Sequence, residues 1–174
     1  MLVTLSGLPG SGTSTVARLV AARLGLEHVD GGTIFRSLAV ERGMSLADFA
    51  SLAESDPTID LELDERLARR ALEGDVVLES RLAGWLASRA EAVGTLVWIG
   101  CDEVERARRV GGRDGHDHAA ALEANRLREA SERRRYLKYY DIDLTDMSVY
   151  GLVADSTSRS AEEITSDVVA AATS

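Results

Sequence analysis

Residues 7–14 have the residue types and spacing of a loop that binds phosphate, since they read Gly-Leu-Pro-Gly-Ser-Gly-Thr-Ser. Glycines let successive backbone N–H groups point inward, and the N-terminus of a following helix favours an anion. Three of the four fixed positions of G-x-x-x-x-G-K-[ST] are matched, and Thr13 stands in place of the lysine. We predict phosphate binding here, with a Ser14 hydroxyl available to Mg²⁺.

The missing lysine removes a positive charge that such a loop normally places between the outer phosphates. Truncating a buried charged contact costs about 2–5 kcal/mol. Lys138 is the only lysine in the chain, and the other 19 basic residues are arginines. Arginine offers a planar fork that suits phosphate oxygens. We therefore expect arginines to supply the charge, with Lys138 as an alternative if a helix brings it near the loop.

Two further arginines follow predicted strands, Arg36 in the segment 30–36 and Arg81 in the segment 79–85. Residues just beyond the carboxyl ends of parallel strands line the ligand crevice. Asp30 and Glu79 could orient these arginines or hold Mg²⁺-bound water. Each arginine could instead form an ion pair on a helix surface. Together the two segments favour a second phosphate site beside the glycine-rich loop.

The charge of the chain is divided unevenly along its length. The net charge is −9, yet residues 106–135 contain nine arginines and five acidic residues, which makes that segment +4 and the remainder −13. The segment is either a local anion site or a solvated helix of mixed charge. An acidic chain is a poor general binder of nucleic acid, because phosphate repels it.

The positions of these residues depend on alternating strands and helices. We predict strands at 2–6, 26–29, 76–79, 95–100 and 150–154. We predict helices at 14–24, 33–42, 45–54, 61–73, 119–140 and 160–172, and others after the third and fourth strands. This alternation is typical of an α/β fold whose parallel sheet is covered on both faces. Gly111, Gly112 and Gly115 are expected to break the arginine-rich segment, as hinges or as an ordinary exposed loop.

Composition narrows the class of protein. A length of 174 residues with 45% apolar side chains suits one domain, and no apolar run approaches the roughly 18 residues of a membrane helix. One cysteine, Cys101, excludes an internal disulfide and a multi-cysteine metal site. The first basic residue is Arg18, so we expect no secretory signal and a cytoplasmic protein that contacts neither membrane nor nucleic acid.

Four segments together resemble the archaeal-type cytidylate kinases: residues 7–14, 30–36, 79–85 (Glu-Ser-Arg-Leu-Ala-Gly-Trp) and 128–136 (Arg-Glu-Ala-Ser-Glu-Arg-Arg-Arg-Tyr). The resemblance extends through residues 155–157. It implies a single P-loop kinase domain over 1–174, a three-layer sandwich with a five-stranded parallel sheet. It also implies a monophosphate-binding lobe near 31–74 and a helical lid near 109–135. The implied activity is Mg²⁺- and ATP-dependent phosphorylation of CMP and dCMP.

The resemblance assigns roles residue by residue. The implied catalytic arginines are Arg36, Arg81, Arg109, Arg128 and Arg135, and Arg113 falls where the lid begins. The implied ATP-binding residues are Gly7, Leu8, Pro9, Gly10, Ser11, Gly12, Thr13, Ser14 and Thr15. The implied monophosphate-binding residues are Asp30, Arg36, Glu79, Arg81 and Glu132. Ser14 would bind Mg²⁺ directly and Glu79 through water.

Three departures from the family pattern bear on catalytic strength and base preference: Thr13 for lysine, Thr33 where an acid is commoner, and Ser80 where glycine is commoner. Kinases for AMP or UMP and a non-catalytic nucleotide-binding regulator remain alternatives. We expect a monomer with small-molecule partners only. His116, Asp117 and His118 could bind a metal, although a solvated lid tip is the favoured interpretation. The acidic remainder suits a salt-adapted, halophilic archaeal protein, while a GC-rich genome would also replace lysine with arginine.

Overall fold

The computed structural model describes residues 1–114 and 117–174, which contain five strands and eight helices. The strands are β1 (Leu2–Gly7), β2 (Glu27–Asp30), β3 (Val76–Glu79), β4 (Thr95–Gly100) and β5 (Leu152–Asp155). The helices are α1 (Thr13–Leu24), α2 (Gly31–Glu41), α3 (Leu46–Ser55), α4 (Pro57–Glu73), α5 (Ala83–Arg89), α6 (Glu103–Asp114), α7 (His118–Tyr140) and α8 (Ala161–Thr173).

The strands form one parallel sheet in the order β2-β3-β1-β4-β5, as the alternating pattern predicts. All six residues of β1 are buried, because its central position places helices over both of its faces. Helices α1 and α8 cover one face, where Val16, Val20 and Ile164 join the core. Helices α4 and α5 cover the other face through Leu67 and Leu86. The three-layer sandwich is confirmed.

Helices α2, α3 and α4 share a small core of their own. Leu38, Phe49 and Ile59 are almost fully buried there, and the rings of Phe35 and Phe49 lie 4.8 Å apart. Two of these helices begin earlier than predicted because of their caps. The Asp30 side chain accepts from the Thr33 amide at the start of α2, and Asp56 with Pro57 at the first helical position starts α4.

The predicted break at Gly111 and Gly112 is wrong, because α6 continues through both glycines to Asp114. Glycine costs roughly 1 kcal/mol in a helix interior. Here packing of α6 against α7 offsets that cost, with Ala107 and Gly111 buried one turn apart. The predicted hinge at Gly115 and the His116 part of the possible metal cluster lie outside the described residues. Within the described chain, no helix is both long and apolar enough to cross a membrane.

Candidate functional site

At two positions in the loop between β1 and α1, the backbone adopts a conformation that favours glycine. Gly10 and Gly12 have φ values of +84° and +92°, in the left-handed region. A Cβ on Gly10 would also lie 2.6 Å from the Arg106 carbonyl oxygen. The loop is therefore packed directly against α6, and its shape depends on the absence of side chains.

The N-terminus of α1, like that of α5, has no side-chain cap. Gly12 occupies the cap position, and the first turn contains no acidic residue. By contrast, Ser45, Asp117 and Ser160 each cap a helix with a side chain that accepts from a backbone amide. The first amides of a helix have no intrahelical acceptor. Those of α1 can therefore bind a phosphate group, as the motif predicts.

Arg106, which sequence reasoning did not single out, supports this loop from beneath. Its side chain is only 5% exposed and pairs with Glu129 of α7. Its Nη1 donates to the Pro9 carbonyl at 3.3 Å, and its Nε donates to the Cys101 carbonyl at 3.1 Å. The signal that could have found it is its position at the start of an arginine-rich helix that follows a strand end.

Arg109 lies one turn further along α6 and reaches the same loop. Its guanidinium donates to the Ser156 carbonyl at 2.8 Å and to the Ser156 hydroxyl at 3.2 Å. Its Nη1 is also 3.5 Å from the Gly10 carbonyl oxygen, and Glu105 accepts from its Nε at 2.8 Å. Arg109 is predicted as a catalytic residue at the start of the lid, and the structure places its side chain against the phosphate loop. The Arg113 side chain is outside the described part.

A cavity of about 530 Å³ opens at the carboxyl ends of β1, β2 and β3. Its lining residues are Gly7, Leu8, Pro9, Gly10, Thr13, Ser14, Arg18, His28, Asp30, Gly31, Gly32, Glu79, Ser80, Arg81, Arg128, Glu132 and Tyr136. This is the crevice position expected for a parallel sheet. The cavity brings the phosphate loop together with residues that follow β2 and β3 and with residues of α7.

Glu132 of α7 holds two of the predicted arginines at this cavity. Arg81 Nε donates to Glu132 Oε2 at 2.8 Å, and Arg128 Nε donates to Glu132 Oε1 at 2.9 Å. Arg81 also donates to the Gly7 carbonyl oxygen. Burial acts to raise the pKa of Glu132, but the two arginines hold its pKa below the ordinary value. The carboxylate is therefore ionised at neutral pH and fixes both guanidinium groups.

Ser14 and Glu79 meet on the other side of the cavity. The Ser14 hydroxyl donates to Glu79 Oε1, and His28 Nε2 lies 3.0 Å from Glu79 Oε2. The structure therefore brings together both predicted magnesium ligands. Their oxygens suit Mg²⁺, which keeps several waters and needs only one or two protein ligands besides phosphate oxygens. In the described residues there is no group of three or more His, Cys, Asp or Glu side chains that could hold a metal ion.

Three of the predicted arginines, Arg36, Arg109 and Arg135, do not line the cavity. Arg36 is 57% exposed on α2 and donates to the Thr33 hydroxyl at 2.9 Å, while Thr33 donates to Asp30 at 2.6 Å. Arg135 of α7 donates to Asp60 of α4 at 3.1 Å. Asp30 lines the cavity, but its contacts in the structure are those of a helix cap.

Six of the nine predicted ATP-binding residues line the cavity, and Ser11, Gly12 and Thr15 do not. Gly7, Leu8, Pro9, Gly10, Thr13 and Ser14 line the cavity. Ser11 is buried beneath the loop, where its carbonyl accepts from the Ser156 hydroxyl at 2.8 Å, and Thr15 is exposed on α1. Sequence reasoning missed Arg18 and His28. Arg18 follows Ser14 by four residues, which places both on one face of α1.

Several known proteins are similar to this chain in sequence. A family profile described as an AAA domain matches residues 3–136. The cytidylate kinase of Halobacterium salinarum is 46% identical over 170 residues, covering 97% of this chain and 87% of that protein. The cytidylate kinase of Methanopyrus kandleri is 45% identical, covering 99% of this chain and 92% of that protein. The cytidylate kinase of Haloquadratum walsbyi is 49% identical, covering 87% of this chain and 79% of that protein.

Solved structures support the fold. An uncharacterized protein from Eubacterium ventriosum aligns with a TM-score of 0.75 at 16% identity, covering 98% of this chain and 97% of that one. A shikimate kinase from Acinetobacter baumannii aligns with a TM-score of 0.61 at 16% identity, covering 97% of this chain and 90% of that one. The sequence relatives are far more similar than these neighbours and extend over nearly the whole chain. The chain belongs to the cytidylate kinase family.

Proposed function

We propose that the protein transfers the γ-phosphoryl group of ATP to CMP, and to dCMP, releasing ADP and the nucleoside diphosphate. The observation that carries this proposal is the single cavity in which the phosphate loop faces the Arg81–Glu132–Arg128 cluster. One cavity can thus hold two phosphate groups, one at the uncapped end of α1 and one at the arginines. The names of the relatives favour CMP over other acceptors.

The donor phosphates are proposed to bind at residues 7–15, where backbone N–H groups and the end of α1 face the cavity. Ser14, together with Glu79 through water, would hold Mg²⁺, which neutralises charge on the donor phosphates. Because Thr13 brings no charge, cationic side chains near the loop must replace the lysine. Arg109 and Arg18 are the proposed sources, since one contacts the loop and the other lines the cavity.

The acceptor monophosphate is proposed to bind at Arg81, with Arg36 joining when the substrate is present. An oxygen of that phosphate attacks the γ-phosphorus in line, and the bond between this phosphorus and the β–γ bridging oxygen breaks, so ADP leaves. This reaction requires no covalent intermediate and no strong general base, because positioning and charge neutralisation dominate. Arg128 and Arg135 would stabilise the transferring group.

We also propose that the enzyme closes over its bound substrates, because ATP in an open site would be hydrolysed by water. We assign residues 31–74 to a monophosphate-binding lobe and residues 109–135 to a lid. The exposed position of Arg36 and the pairing of Arg135 with Asp60 are compatible with movement of these regions toward the cavity. We further propose that the enzyme acts as a cytoplasmic monomer.

The proposal is tested by ADP formation from Mg²⁺-ATP with a panel of acceptors, namely CMP, dCMP, UMP and AMP. We expect turnover to depend on an acceptor and to be fastest with CMP or dCMP. Preference for AMP or UMP would reassign the acceptor. Binding of ATP without turnover of any acceptor would favour a nucleotide-binding regulator.

A further inference from the structure

A smaller chamber of about 100 Å³ lies beside the main cavity, between α4 and α7. Ser80, Arg81 and Tyr136 line both spaces, so the chamber begins at the residue that we assign to the acceptor phosphate. Its walls also include the apolar side chain of Leu63 and the ring of Tyr140. A flat aromatic group attached to the acceptor phosphate would extend into this space.

The chamber contains an acidic side chain whose charge is poorly compensated. Burial raises the pKa of Asp64 to about 6, although the Tyr140 hydroxyl and Arg135 act in the opposite direction. The neighbouring Asp60 is different, because it is 44% exposed and paired with Arg135. Among the residues with described side chains, Asp64 forms no ion pair. Apart from the Tyr140 hydroxyl, no donor among the described residues is assigned to this half-buried carboxylate, and a partly desolvated charge favours a further donor from a ligand.

A second polar group in the chamber is also without a partner. The Ser80 hydroxyl oxygen is inaccessible to solvent and makes no hydrogen bond with the described residues. Buried polar atoms are nearly always hydrogen-bonded, so an orphaned hydroxyl beside a ligand cavity indicates a group that the ligand completes. Asp64 and Ser80 therefore offer two polar contacts beside the leucine and tyrosine side chains of the chamber, whose wall is completed by the charged residues Asp60, Arg81 and Arg135.

We propose that this chamber binds the base of the acceptor nucleotide and that Asp64 selects cytosine over uracil. Cytosine carries an exocyclic amine at C4, which donates to a carboxylate oxygen. Uracil carries a carbonyl oxygen at that position, so two acceptors would face each other. This inference rests on the proposed phosphorylation of CMP, and it assigns Asp64 a role in specificity and none in the transfer step.

The test compares kcat/KM for CMP and UMP in the wild-type protein and in Asp64→Asn. Loss of a specific pairing to a base is worth about 10- to 100-fold in discrimination. We expect the ratio of kcat/KM for CMP to that for UMP to fall by about this factor, mainly through KM, with KM for ATP unchanged. Asp64→Ala, which removes the side-chain acceptor altogether, should show the same shift.

The matched control is Glu65→Gln, a neutralised acid at the next position of α4 with a 70% exposed side chain. It should leave the ratio unchanged. An unchanged ratio in both Asp64 variants, or equal losses with CMP and UMP, would overturn the assignment. Calorimetric binding of CMP and UMP separates this result from a failure of the proposed function. If the wild type binds CMP more tightly than UMP and Asp64→Asn does not, the chamber reads the base even without turnover.

Discussion

Individual arginines account for most of the site's positive charge, and each is held by a specific carboxylate. Glu132 fixes Arg81 and Arg128, Glu105 fixes Arg109, and Glu129 pairs with Arg106. A carboxylate that holds a guanidinium in place reduces the entropy lost when phosphate binds. The site is thus a set of oriented arginines around a loop that has no lysine.

At Arg81, substitution by alanine should weaken binding of the acceptor much more than binding of ATP. The side chain is only 16% exposed and contacts both Glu132 and the loop, so its removal also leaves a buried carboxylate short of a partner. Truncation of such a pair costs about 2–5 kcal/mol. Steady-state kinetics with varied CMP and varied ATP measure the effect. Arg69→Ala, which removes an exposed arginine on α4, is the control, and unchanged CMP affinity in Arg81→Ala would refute the assignment.

Lysine at position 13 should preserve or raise activity. Thr13 lines the cavity at the start of α1, where a lysine side chain would add the charge that the motif usually carries. The comparison is kcat and KM for ATP in Thr13→Lys against the wild type. Complete loss of activity would show that the loop has been rebuilt around threonine.

Neutralisation of Asp64 should stabilise the unliganded protein above pH 6. Its pKa is raised to about 6 from an ordinary value near 3.8, so the folded state binds this proton more tightly than the unfolded state. Ionisation of Asp64 therefore destabilises the folded state: this cost is absent below about pH 4, grows as the pH rises, and is complete above about pH 6. Burial and the neighbouring Asp60 oppose the charge, whereas the Tyr140 hydroxyl and Arg135 favour it. Melting curves of Asp64→Asn and wild type should differ at pH 8 and coincide near pH 3.5, whereas a constant difference would contradict this reasoning.

Among the structural elements, α6 and α7 determine how the loop is supported. The order of strands and helices could be predicted from periodicity, because β1 and β3 are short, largely apolar runs and most of the helices begin at a capping Asp or Ser. The continuation of α6 through Gly111 could not be predicted from the sequence, since it depends on packing against α7. The position of Arg36 outside the cavity could not be predicted either, because residue spacing identifies the end of a strand but not the direction of an exposed side chain.

Arg106 connects both helices to the phosphate loop, so Arg106→Met should reduce stability and ATP affinity together. Removing one member of a buried pair costs about 3–5 kcal/mol, here because Glu129 loses its guanidinium. Urea unfolding gives the first quantity and KM for ATP the second. Arg126→Met is the control, since it breaks an exposed pair between the same two helices. Equal stability losses in the two variants would show that burial of Arg106 is unimportant.

Across the whole molecule, positive charge is concentrated in one segment, and the rest of the chain is acidic. The positive segment 106–135 lies on α6 and α7 beside the cavity, while the remaining residues carry a net charge of −13. Like charges on a compact surface repel one another, and salt screens this repulsion. The acidic surface therefore makes the free energy of unfolding dependent on ionic strength.

If the acidity reflects salt adaptation, both activity and Tm should rise from low salt to molar KCl. A bias of the genome toward arginine codons predicts no such rise. Activity and melting temperature measured across that range in one buffer distinguish the two explanations. A fall of both quantities with salt would reject salt adaptation.

The central claim, transfer of a phosphoryl group between two nucleotides in one cavity, is tested most directly by following the group itself. The protein is incubated with Mg²⁺ and ATP labelled at the γ-phosphate, with and without CMP, and the products are separated. We expect the label to appear in the β-phosphate of CDP, in equal amount to the ADP formed, and little label to be released without CMP. Label found only in inorganic phosphate, with CMP unchanged, would contradict it.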